Sequence, residues 1–309
     1  MLQAGRGRAL PLFFLALAAL ALVNFDATPL LSLRNAQFDR YQRQMPRERV
    51  GEPVIVVGID SQSLVKFGQW PWSRDIMAEL TTRILAGEPH ALGIDIVFAE
   101  PDRFSPQALA GRFPALPRAT FESLPGPDEK FAQALASGPT VLAVIGVAND
   151  LPGARQPTKP LPALAAGEPT TLRALTRFPS AIASLPQLER NAAGAGLINA
   201  TLDGPRSTPE RGVLRQIPTL ALIGEQPFLS LSLEMVRVAL GDAGTVAVEA
   251  GAHGMARIRI GDYALPIRPN GELVLHYGRS SASYYISAAD LLAGTYPPET
   301  FKSRFVLIG

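Results

Sequence analysis

Two apolar runs rich in β-branched residues place the tightest limit on the fold: Pro53–Asp60 (PVIVVGID) and Ala91–Phe98 (ALGIDIVF). Neither alternates apolar with polar, so each reads as a strand covered on both faces, as in a parallel sheet flanked by helices. Between them Ser73 is suited to cap a helix over Arg74–Ala86. This is a βαβ unit, and right-handed crossover packing sets its strands parallel. A helix near Asp128–Ser137 leads into a third buried strand, Thr140–Ala148, and Arg304–Gly309 (RFVLIG) closes the sequence with another.

The other segments are less regular. Residues 101–127, rich in Pro, Phe and Ala, read as a long loop with partial helix. Residues 150–190 carry many prolines and little periodicity, and read as an insertion over one sheet edge with a short helix near 180–190. Gly194–Ala200, Val213–Ile217 and Leu220–Ile223 are strand-like, and Ser230–Leu240 is an amphipathic helix stopped by Gly241. Arg257–Ile260, Tyr263–Ile267 and Glu272–Tyr277 form a meander with turns at Gly261-Asp262 and Asn270-Gly271. Ser287–Gly294 is a short capped helix with a glycine stop. The expected class is mixed α/β: a mainly parallel sheet flanked by helices, an antiparallel meander in the second half, and an N-terminal transmembrane or signal helix.

That last element rests on Arg6 and Arg8, which precede an uncharged run from Ala9 to Val23 broken only by Pro11. The run spans roughly 22 Å at 1.5 Å per residue, short of a ~30 Å hydrocarbon core. A cleaved signal peptide with Ala19-Leu20-Ala21 as its small-x-small site fits the pattern. So does an uncleaved anchor in which Asn24 and Phe25 reach the outer interface. A buried helix of a soluble protein is the third reading. In the first two the positive flank stays inside and the rest is exported. The expected division is a cytoplasmic tail over 1–8, an anchor over 9–26 and an extracytoplasmic domain over 27–309. Leu30–Gln44 reads as a juxtamembrane helix, ended by Pro46.

Several chemistries find no footing. A formal charge of +2 without a Lys/Arg run offers no face to nucleic acid. With no cysteine, disulfides, thiolate metal sites and cysteine nucleophiles are excluded. His90, His253 and His276 lack metal-ligand spacing. No G-x-S-x-G elbow, Walker loop or complete G-x-G-x-x-G is present, and Gly194-Ala195-Gly196 suits a strand turn. No cofactor is expected.

Acidic residues gather at the strand ends: Asp60, Asp95, and Glu100 with Asp102 in the next loop. Open parallel sheets bind ligands outside the carboxyl ends of their strands. Asp60, Glu100 and Asp102, with Arg74 close by, are therefore candidates to line a cavity for a polar ligand or a divalent cation. Trp70 and Trp72 flank Pro71 as a candidate aromatic wall. The structural alternative makes Asp60 and Asp102 cap and turn acids, Arg74 the neutraliser of a buried carboxylate, and the tryptophans core packing.

Taken in order, Gly58-Ile59-Asp60, Trp70–Arg74 (WPWSR), Gly93–Asp102 (GIDIVFAEPD), Asp203-Gly204 with Arg215, Ser287–Gly294 (SAADLLAG) and the closing strand resemble one family. It is the CHASE domain of the second type, a cyclase/histidine-kinase-associated sensory extracellular domain of bacteria. The resemblance runs from about residue 30 to the end. It implies an N-terminal transmembrane helix, a domain outside the cytoplasmic membrane, further transmembrane helices and a cytoplasmic cyclase or kinase output. It also implies a homodimer, a membrane and an unidentified extracytoplasmic ligand as partners. Family members continue beyond the closing strand, so a fragment is expected. The alternatives are an exported metal-assisted hydrolase using Asp60, Glu100 and Asp102, and a released periplasmic binding protein.

Overall fold

A computed structural model describes residues 11–18, 28–48, 51, 53–122, 126–149, 151–162, 164–166, 172–173, 175–200, 212–251, 254–279 and 281–309. The chain forms two units. The smaller comprises Met1–Arg49, Asp203–Val213 and His276–Arg279; the larger holds the rest.

In the smaller unit, α1 covers residues 11–18 and α2 covers Thr28–Gln44. The helix expected over Leu30–Gln44 is thus present with its predicted C-terminal end. Gln42 of α2 accepts from the Tyr277 amide at 2.7 Å, the Phe38 ring meets the edge of His276, and Arg47 bridges Gly278. Among the described residues no helix is long and apolar enough to cross a membrane. Only residues 11–18 of the Ala9–Val23 run are described. Arg6, Arg8, Ala19-Leu20-Ala21, Asn24 and Phe25 lie outside them.

The larger unit opens with β1 (Val54–Gly58), α3 (Ser61–Phe67), α4 (Arg74–Leu85) and β2 (Ala91–Ile94). Next come α5 (Pro106–Arg112), α6 (Ala119–Glu122), α7 (Pro127–Ala136) and β3 (Thr140–Val147). The proline-rich insertion supplies β4 (Leu164–Ala166), β5 (Arg177–Phe178), β6 (Ser180–Ala183) and α8 (Pro186–Asn191). Then follow β7 (Gly194–Leu197), β8 (Gln216–Pro218), β9 (Leu220–Ile223), β10 (Gln226–Leu229) and α9 (Leu231–Leu240). Last are β11 (Val246–Gly251), β12 (Gly254–Ile260), β13 (Tyr263–Pro266), β14 (Glu272–Val274), β15 (Tyr285–Ser287), α10 (Ala288–Leu292) and β16 (Phe305–Ile308).

The main sheet runs β15-β1-β16-β2-β3, with β6 antiparallel and β7 parallel to β3. All other pairings along it are parallel. The mixed, mainly parallel sheet is therefore present, but β1 and β2 are parallel without being neighbours. The closing strand β16 lies between them, Val54 opposite Phe305 and Phe305 opposite Ala91. Two further expectations are corrected. Strand β2 stops at Ile94, so Asp95 lies beyond it rather than within. The meander is β11-β12-β13, while β14 leaves it to pair with β8. The Asn270-Gly271 turn does form, the Arg268 amide donating to the Glu272 carbonyl at 2.8 Å and the Gly271 amide to the Arg268 carbonyl at 2.8 Å, but the strand beyond it pairs with β8 and not with β13.

Period-2 alternation in β1 and β16 assigns the two faces. Ile55, Val57, Val306 and Ile308 are buried against Met77, Leu80 and Ile84 of α4 and Phe131 and Leu135 of α7. On the other face α9 covers β2, β3 and β7, setting Leu231 and Met235 on Ala91 and Val141. Glycine makes that approach possible. A Cβ at Gly93 would lie 2.4 Å from the Met235 Sδ, and one at Gly196 would lie 2.5 Å from the Leu231 Cα. The opposite side of α9 packs Leu233 on Val248, Ile258 and Ile260 of the meander.

Candidate functional site

Beyond β1 the chain turns directly into α3, and Asp60 caps that helix. Its Oδ1 accepts from the Ser63 amide at 2.9 Å, the Ser63 hydroxyl at 2.7 Å and the Ser287 hydroxyl at 3.0 Å. These bonds, the Ser63 hydroxyl foremost, hold the Asp60 carboxyl below the usual carboxylate range. Ser63 Oγ in turn accepts from the Ala289 amide, and Gln62 donates to Asp290. One carboxylate thereby ties the start of α3 to the start of α10.

A second cluster forms where the loop after β2 meets two helix N-termini. Ser73 accepts from the Asp75 amide as the N-cap of α4. Arg74, the first residue of α4, donates its backbone N–H to Asp102 Oδ2. Its guanidinium donates to the Glu100 carbonyl at 3.0 Å and lies 4.5 Å over the Phe98 ring. Asp102 Oδ1 accepts from the Phe104 amide, an Asx turn, and the Asp102 amide donates to Asp128 Oδ2 at 2.9 Å. Arg74 Nε and Asp128 Oδ1 face each other at 3.6 Å. Both atoms are buried and make no hydrogen bond among the described residues. Burial pushes the Asp128 carboxyl up, and the Asp102 amide and Arg74 offset this only in part. One cation thus serves two buried carboxylates, and Asp128 also borders a polar crevice of about 610 Å³ lined by Ser105, Gln107, Arg118 and Glu129.

The structure brings together Arg74, Asp102 and the backbone carbonyl of Glu100, whose own side chain is exposed. Asp60 has the separate partners above. Trp72 is buried, donates from its indole N–H to the Gly68 carbonyl at 2.9 Å and meets Phe67 edge-on. Trp70, 40% exposed, stacks tilted on Trp72 beside the cis Trp70–Pro71 peptide. An Asp60–Glu100–Asp102 metal triad is not assembled: among the described residues no three His, Asp or Glu side chains are placed to hold a metal ion. Asp203, Gly204 and His253 lie outside the described residues. Sequence reasoning missed Asp128, Ser63 and Ser287 as partners. Only the helix-start position of Asp128 and the place of Ser287 before a capped helix hinted at them.

Comparison with known proteins gives one match. A family model described as the CHASE2 domain matches residues 13–309, nearly the whole chain. No curated protein and no solved structure matches it.

Proposed function

This chain belongs to the CHASE2 domain family, a family of extracellular sensory domains, and from that membership we propose that it is the extracytoplasmic sensor of a bacterial transmembrane receptor. In this reading the Ala9–Val23 run anchors it in the cytoplasmic membrane, and α2 links that anchor to the domain. A stimulus shifts the domain between two states, and the shift reaches a cytoplasmic cyclase or kinase, with two copies working as a pair. The observation that carries the reading is the family match over residues 13–309.

Within that reading the Arg74–Asp102–Asp128 cluster, with Glu100, is the proposed polar ligand site. A ligand reaching Asp128 from its crevice bears on the starts of α4 and α7 together. Asp60, Trp70 and Trp72 hold the neighbouring loops in place.

Fractionation of bacterial cells expressing the full chain tests the placement. The expected result is a membrane-bound protein that added protease digests only after the outer barrier is opened. Complete release by osmotic shock makes it a soluble binding protein, and a protease-protected cytoplasmic pool overturns the reading.

A further inference from the structure

A second crevice, of about 390 Å³, runs beside α9 on the face of the main sheet opposite α4 and α7. Its walls are apolar along most of its length: Leu307 and Phe305 of β16, Met235 and Val236 of α9, and Ile217 and Pro218. Besides Asn199 and the exposed Ser232, its polar groups are of two opposed kinds. One is the N-terminus of the ten-residue helix α9, where Ser230 sits as N-cap yet makes no side-chain cap bond. Ser230 is 6% exposed, it lines the crevice, and its hydroxyl has no hydrogen-bond partner among the described residues. A helix N-terminus with a spare hydroxyl favours an acceptor, above all a carboxylate.

The other is Asp95, just past β2, which also lines the crevice. The residue is exposed overall, and the partial desolvation of its carboxyl pushes it up. A cationic donor there removes that cost. A simple anion would meet Asp95, and a simple amine would meet the positive end of α9. Only a head group carrying both charges satisfies both.

We propose that this crevice binds an apolar α-amino acid, its carboxylate on the α9 N-terminus and Ser230, its ammonium on Asp95, and its side chain between β16 and α9. The volume falls in the range of small-molecule sites. The neighbouring groups are already committed: Asn199 exchanges two hydrogen bonds with the Gly146 backbone, and Gly196 admits the Leu231 backbone with no space to spare. The proposal deepens the sensory reading, but the binding itself is independent of export and of any output.

Calorimetric titration of the full 309-residue chain with leucine and phenylalanine tests it. The expected result is saturable binding that falls about tenfold or more when the ligand is N-acetylated or converted to its amide. Ser230→Ala and Asp95→Asn should each weaken it several-fold, and Val236→Trp, which fills the crevice, should abolish it without changing the circular dichroism. Octanoate binding as tightly as the amino acids overturns the ligand class. Absence of saturable binding by either amino acid at millimolar concentration, or binding indifferent to Val236→Trp, overturns the site. Cell fractionation is untouched by either result, so this site and the receptor reading fail separately.

Discussion

A single oxygen, Asp60 Oδ1, serves three donors, two of them from α3 and one from a residue far along the chain. Asp60→Ala should cost roughly 1–2 kcal/mol, the upper range for a lost N-cap. An acid held below its unfolded value near pH 3.9 stabilises the fold above that value. The contribution is lost as pH falls through the folded pKa. Chemical denaturation from pH 7 to pH 3 should therefore decline less steeply in Asp60→Asn than in the parent; identical profiles would sink the argument. In the Arg74 cluster the charges themselves are buried. Arg74→Met leaves two carboxylates facing without a cation, a loss of about 3–5 kcal/mol. Adding Asp128→Asn keeps an acceptor for the Asp102 amide and removes one charge, so the double variant should be more stable than Arg74→Met alone. Strict additivity of the two losses would contradict the coupling. The sequence showed the acids at strand ends, and the cap-and-turn alternative describes what Asp60 and Asp102 do. It hid their partners, since Ser287 and Asp128 reach them through the fold and not through local spacing.

Among the elements, the glycines under α9 differ in how far their neighbours can yield. A Cβ at Gly93 meets the Met235 thioether, the far end of a flexible side chain, whereas one at Gly196 meets the Leu231 Cα. Gly93→Ala should cost about 1–3 kcal/mol and be partly rescued by Met235→Ala. Gly196→Ala should cost more, and Leu231→Ala should not rescue it, because the clash is with backbone. Thermal unfolding of the four variants checks the pattern, and rescue at Gly196 would contradict it. Helices with clear caps or long period, α4, α7 and α9, were legible to within a residue or two. Short α3, with seven residues, gave no period to read, and β10, β11 and β15 were missed because their burial comes from partners distant in sequence.

For the whole molecule, the decisive feature is the position of β16. Its apolar run announced a buried strand, but nothing local says that it separates β1 from β2. Removing Phe305–Gly309 should therefore abolish cooperative unfolding rather than trim an edge, whereas Gly309→Ala alone, whose new Cβ would sit at 3.7 Å from the Asp95 Cβ, should be tolerated. Near-parent unfolding of the shortened chain would contradict that topology. Among the described residues strand β1 pairs only with β15 and β16 in the main sheet, so both of these neighbours are made more than two hundred residues after it. Synthesis at about 5–20 residues per second leaves it waiting on the order of ten seconds or more for them. Through that interval a bare, greasy ribbon is open to mispairing with other nascent chains. Lengthening that interval should therefore show first as aggregation of newly made chains.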